Sequence, residues 1–330
     1  MRPTVSRRGL LAGAAATTAA VATAGLFGSP ARAAGLPVGN GFGLTVLENQ
    51  RWDARLAYVR FRSTELTRDP GVNILLPDGY DAHPTRRYPV LYLLHGGNTD
   101  FRQWHLELGA VESTAGLEVI VVMPDCYKIG WYANHLRPLF GPLNWKNFHI
   151  HQLIPWIDAN LRTTGAAAGR AVAGLSMGGY GAQKYTAEFP DRFAAVSSYS
   201  GPSNNLAADI ESWIFVTPAA DGQLPGAVYG VVGERHDLMT PENPWDRVES
   251  FRGKRIALYA GLTDVTPGAW MSDVQERVVH YQNAAFHQRL LDAGIANDFH
   301  DYPGTHSGEH WTRNFREDVP GIVAALTPAR

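Results

Sequence analysis

Gly174-Leu175-Ser176-Met177-Gly178 sets one serine between two glycines. An apolar run over 171–173 precedes it, and a small-residue segment able to start a helix follows. Strand, tight turn and helix in that order constrain this chain more than any other stretch. The turn forces the serine into a strained backbone conformation, and glycines at 174 and 178 let strand and helix pack closely. The serine Oγ then stands at the tip of a sheet, beside a helix N-terminus that favours negative charge. The pattern alone is common, and a glycine-rich turn with an incidental serine is the plainer alternative. The surrounding sequence decides between them.

Continuous apolar runs predict strands over 90–94, 119–122, 171–173, 194–198 and 255–259, with another over 298–301. Shorter leading strands are expected over 44–46, 57–61 and 72–76. Helical patterns cover 148–161, 179–188 and 274–294. Such alternation predicts a mostly parallel sheet with helices on both faces. In such sheets the site lies at the carboxyl ends of the strands. With 330 residues, 45% of them hydrophobic, the chain can bury one sizeable core. No repeat or long linker interrupts it, so residues 34–330 read as one domain. Residues 204–249 are irregular and rich in turn formers, and are expected to cross over the site.

The N-terminus reads differently. Ser6-Arg7-Arg8-Gly9-Leu10-Leu11 is a twin-arginine pattern, followed by a weakly apolar Ala/Thr/Gly stretch and Ala31-Arg32-Ala33. Residues 1–33 are therefore expected to be an export signal, and the mature protein to be secreted already folded through the twin-arginine route. Cys126 is the single cysteine, so no intramolecular disulfide forms. It follows an apolar run and reads as a small buried hydrophobe. The net charge of −2 argues against a nucleic-acid or polybasic membrane role. No internal apolar run reaches transmembrane length.

A serine nucleophile needs a base, and the base needs an acid to hold its tautomer. The elbow architecture supplies them in the order serine, acid, histidine. His306 is the best base, because Gly304-Thr305-His306-Ser307 forms a flexible turn just past the last strand. His280 and His287 fall in a helical pattern and read as surface residues. His300 lies inside a strand, and His236 in the irregular stretch. Three acids are open: Asp264 just after its strand, Glu276 near the start of the long helix, and Asp273 as a helix cap. The oxyanion hole is expected from the N–H groups of Met177 and of Gly97 in the His95-Gly96-Gly97 turn. His306-Ser307-Gly308-Glu309-His310 also matches a zinc-peptidase pattern, but Gly304 and Gly308 break the helical run that it needs. His149 and His151, two apart, make a weak metal pair. No metal or other cofactor is expected.

With these residues in place, the chain resembles the esterase family that includes esterase D, feruloyl esterases and the antigen 85 mycolyltransferases. Tyr92-Leu93-Leu94-His95-Gly96-Gly97, the serine motif and Gly304-Thr305-His306-Ser307 carry the resemblance, which runs over about 72–326. The resemblance implies an α/β-hydrolase fold and a serine esterase acting on a small-molecule, polysaccharide or lipid ester, or an acyltransferase with a carbohydrate acceptor. A non-catalytic envelope-binding protein of the same fold is the rival from another class. The mycolyltransferase branch is closest at the C-terminal end, through Trp311 and its neighbours. That branch uses a glutamate followed by an asparagine seven residues on, which implies Glu276 with Asn283. The feruloyl branch implies Asp264. Gly308 stands where the mycolyltransferases carry tryptophan beside the histidine, which argues against trehalose as acceptor. Trp131, Tyr132 and Trp145 are open between cleft and core.

Overall fold

The computed structural model describes residues 35–264 and 270–326. The expected export signal over 1–33 lies outside the described residues. Nine described strands form one sheet: β1 (Leu44–Arg51), β2 (Leu56–Ser63), β3 (Gly71–Leu75), β4 (Val90–Leu94), β5 (Ile120–Pro124), β6 (Arg170–Leu175), β7 (Ala195–Tyr199), β8 (Arg255–Leu262) and β9 (Asp298–Pro303). Their order is β1-β2-β3-β5-β4-β6-β7-β8-β9. The first three run antiparallel, and β3 meets β5 antiparallel. From β5 to β9 every pair is parallel.

The apolar runs become strands because both of their faces are covered. Strands β3 to β7 are buried along their whole length. Side chains alternate between two cores, as the two-residue period of a strand requires. On β4, Val90, Tyr92 and Leu94 face one core, and Leu91 and Leu93 face the other. Burying each such side chain contributes about 1.5–3 kcal/mol.

The helices differ from expectation in three places. Residues 148–161 are not one regular helix: a π-helical stretch, Phe148–Leu153, leads into the helix Ile154–Asn160. The long helix starts at Trp270 and ends at Asp292, four residues earlier at its start than the periodicity predicts. Glu276 therefore sits in its second turn, so a simple dipole role is weaker than the sequence suggests. A further helix, Gly308–Ala324, buries Trp311, Phe315, Val319 and Ile322 on one stripe. Its many charged residues hid that stripe. Arg255 pairs with Asp318 of this helix, and the Tyr199 hydroxyl donates to the same carboxylate at 2.7 Å.

Residues 204–249 contribute the helix Ala208–Val216 and several short turns. Lys146 binds both Glu188 and Glu242, and Lys184 lies 3.0 Å from Glu242. These buried pairs brace the irregular segment against the helix that follows Ser176. No described helix is long and apolar enough to cross a membrane.

Candidate active site

Ser176 links β6 to the helix Met177–Glu188 with φ 51° and ψ −119°. This is the strained turn that the motif demands. A Cβ on Gly174 would stand 2.3 Å from the Gly178 carbonyl oxygen, and one on Gly178 would stand 2.2 Å from that of Leu94. No side chain fits at either position. The Ser176 N–H donates to the Tyr199 carbonyl at 2.8 Å, which fixes the turn to β7.

The structure brings Ser176, His306 and Glu276 together. Ser176 Oγ lies 2.8 Å from His306 Nε2, and His306 Nδ1 lies 2.7 Å from Glu276 Oε2. Glu276 is fully buried. Its second oxygen, Oε1, accepts the Gly261 N–H at 2.6 Å and the Ser200 hydroxyl at 2.8 Å. Asn283, one helical face further on, donates to the Gly201 and Val279 carbonyls and accepts from Ser203. It holds the 200–203 turn rather than the acid itself. Asp264 is exposed beyond the end of β8. Asp273 is buried on the long helix, one turn before Glu276.

The expected oxyanion donors line the same cleft as Ser176. Met177 opens its helix, where an N–H has no intrahelical acceptor. In the other turn, Gly96 N–H donates to Gln103 Oε1 at 3.0 Å and Asn98 N–H to the Lys128 carbonyl at 2.8 Å. Gly97 N–H has no acceptor among the described residues. His95 explains the turn's shape: Nδ1–H donates to the Gly96 carbonyl and Nε2 accepts the Cys126 N–H. Cys126 is buried, and burial pushes its thiol up.

The cleft has a volume of about 210 Å³. Ile129, Trp131, Trp213 and Val279 give it apolar walls. Of the three aromatics left open by the sequence, Trp131 lines the cleft, and its indole donates to Thr217 at 2.9 Å. Tyr132 and Trp145 belong to the core. A second, more polar cavity of about 740 Å³ shares Asn98 and Gln103 with the cleft. Ser200 is not singled out by the sequence, and Trp311 enters there only through the resemblance. Ser200 directly follows β7, a carboxyl strand end, and that placement was the available signal.

Among the described residues no group of three or more metal-ligating side chains comes together. His306 precedes the helix that carries His310, so the two do not share a helical face. His149 bonds Tyr185 and the Asp125 carbonyl, while His151 packs on Phe189. His280 corrects the surface reading: it is buried against Phe299 of β9. His287 is half-buried and bonds Asn297.

Three buried histidines under the site give the fold a pH dependence. Burial lowers His95 to about 4, His149 to about 3 and His135 to about 4 from an ordinary 6.5. Their folded values lie below their unfolded ones, so the stability they contribute is complete above pH 6.5. It is lost as pH falls through those values. Asp125, pushed up to about 7 by burial, acts in the opposite sense but is one group against three. The expected result is a net loss of roughly 2 kcal/mol per pH unit near pH 5. Thermal melts between pH 7.5 and 5 check this, and a flat midpoint would contradict it.

A mostly parallel sheet with a serine on a strand–turn–helix elbow defines the α/β-hydrolase fold. The esterase family model matches residues 63–322, and the chain belongs to that family. It is 44% identical over 295 residues to Esterase Rv1288 of Mycobacterium tuberculosis, covering 88% of this chain and 63% of that protein. This chain thus spans less than two thirds of that relative's length. It is 27% identical over 261 residues to the diacylglycerol acyltransferase/mycolyltransferase Ag85B of Mycolicibacterium smegmatis, covering 72% of this chain and 77% of that one. Mycobacterium tuberculosis MPT51 matches with a TM-score of 0.71 at 21% identity, over 83% of this chain and 100% of its own. A ferulic acid esterase matches at 0.63 and 22% identity, over 82% and 98%. At such identities these two structures speak for the fold alone.

Proposed function

We propose that this chain is a serine esterase using Ser176, His306 and Glu276. One observation carries the reading: the unbroken hydrogen-bonded chain from Ser176 Oγ through His306 to the buried Glu276 carboxylate. His306 Nε2 takes the hydroxyl proton as Ser176 Oγ attacks the ester carbonyl carbon. The carbonyl oxygen becomes an oxyanion facing the Met177 and Gly97 N–H groups, each donor of this kind being worth about 10²–10³ in rate. The intermediate collapses, and the leaving alkoxide takes the proton from His306. Water then attacks the acyl-enzyme with His306 again as base, which frees the acid and Ser176. The apolar walls suit the acyl part, and the polar cavity beyond Gln103 gives room for the alcohol part. This sequence uses protein groups alone.

Acyl transfer to a carbohydrate is the second reading, favoured by that polar cavity. Gly308 tells against it for trehalose. A Cβ there would meet only Leu108, at 3.5 Å, so the position has room for a side chain but carries none, and the tryptophan of the mycolyltransferases has no counterpart at this point. Water is far more concentrated than any sugar, so a transferase must hold its acceptor well. Given an activated acyl donor with millimolar trehalose, hydrolysis is expected to dominate when both products are followed by mass spectrometry. Acyl groups ending mostly on trehalose would make the chain a transferase. A binding protein without catalysis would cleave no short p-nitrophenyl ester.

The twin-arginine pattern supports export of the folded chain. Intact mass of exported material is expected to place the mature start near Ala34. A full-length mass on that material would remove the signal assignment.

A further inference from the structure

The geometry points to Ser200 as a positioning residue that aims the Glu276 carboxylate at His306, with Trp311 fixing the direction of the Ser200 proton. The inference rests on the proposed triad. Ser200 follows β7 with φ 53°, a left-handed conformation that is uncommon for a residue with a Cβ. It is fully buried, and its own N–H donates to the Tyr259 carbonyl at 2.7 Å. Ser200 is thus a second serine, after Ser176, held at positive φ, and its hydroxyl meets Glu276.

The direction of each bond follows from the donor inventory. An indole N–H only donates. Trp311 Nε1 lies 3.0 Å from Ser200 Oγ, so Ser200 accepts there. Its single proton is then free for Glu276 Oε1 at 2.8 Å. With the Gly261 N–H on the same oxygen, Oε1 is held by two donors. Oε2 is left to face His306. The Trp311 ring also stands edge-on to the His306 imidazole, with centroids 4.9 Å apart and planes at 88°. Glu276, His306, Trp311 and Ser200 thus close a loop in which base and acid are both held from one indole. Tyr302 of β9 faces the same group. Burial, and next the charge of Glu276, push its phenol up, so it stays neutral there.

A merely structural serine would affect stability alone. A positioning serine affects the chemical step. Ser200→Ala is expected to lower kcat about tenfold to hundredfold on a short p-nitrophenyl ester, as for loss of a bond to a charged group. KM should stay within about twofold, because Ser200, although it lines the cleft, commits its hydroxyl to Glu276 and Trp311. The downfield imidazole proton resonance of His306 should weaken or move upfield in the same variant. Trp311→Phe keeps a ring against His306 and removes the N–H, so kcat should fall in the same direction. The double variant should then be no worse than Ser200→Ala by more than about twofold, since both act on one bond. Ser200→Gly, which relieves the φ strain, replaces Ser200→Ala if the alanine variant fails to fold, and must show the same loss. Wild-type kcat with an unchanged resonance in a folded Ser200 variant overturns the inference, as do fully additive losses. Glu276→Gln is measured beside them. If it keeps wild-type turnover, the triad reading falls and this inference with it. If it is crippled while the Ser200 variant is not, only the Ser200 inference falls.

Discussion

Ser176→Ala is expected to remove ester cleavage, with a fall in kcat of about 10⁴-fold or more, and to leave the fold intact. The loss is large because, among the described residues, Ser176 Oγ is the oxygen bonded to His306 Nε2. Any residual rate would come from binding and from the two proposed oxyanion donors acting on a bound ester with water. The fold survives because the bonds that shape the elbow are backbone bonds. Ser176 N–H reaches Tyr199, and its carbonyl accepts the Tyr180 N–H at 3.0 Å. The hydroxyl faces the cleft, where water can replace it against His306. The backbone strain at φ 51° is the same for alanine as for serine. The melting midpoint should therefore match wild type within a few degrees. Steady-state hydrolysis of a p-nitrophenyl ester, with a parallel thermal melt, measures both. Turnover within about tenfold of wild type in a folded variant would reject Ser176 as nucleophile.

Legibility in the sequence followed physical causes. The parallel strands were readable because strands buried on both faces show as unbroken apolar runs, and 90–94 matches β4 residue for residue. Ser176 and His306 were readable because each sits on a glycine-bearing turn at a strand end, where local geometry and chemistry coincide. The acid was not readable from the residues alone. Glu276 is a fully buried carboxylate on a helix, and its burial depends on His306, Gly261 and Ser200, which come from three distant segments. Only the resemblance to the mycolyltransferases, closest at the C-terminal end, favoured it over Asp264. Ser200 left only its place after β7 as a trace, since the role proposed for it rests on a positive φ and on an indole from residue 311. The helix Gly308–Ala324 was missed because its apolar stripe is interrupted by charges that face solvent or pair with the sheet. Its start just after His306 is what separates the two histidines of the zinc-like pattern.

Glu276→Gln is expected to lower kcat by about 10³–10⁴-fold, and Asp264→Asn by less than about threefold. The two donors on Oε1 make the glutamine prediction specific. Ser200 hydroxyl and Gly261 N–H both require an acceptor, so the amide oxygen takes that position. The amide NH₂ is then turned toward His306 Nδ1, where the carboxylate oxygen stood at 2.7 Å. A donor facing Nδ1 forces the imidazole proton onto Nε2. Nε2–H cannot accept the Ser176 proton, so the base is lost while the geometry is kept. The charge that would stabilise the imidazolium is lost as well. Asp264 lies exposed past the end of β8, whereas Glu276 is the carboxylate bonded to His306. KM for a short ester should change little in either variant, because neither side chain lines the cleft. Paired kcat and KM measurements on the two variants, with circular dichroism to check folding, decide the matter. If Asp264→Asn proves the more damaging, the acid is Asp264 and Glu276 is a structural carboxylate of the core.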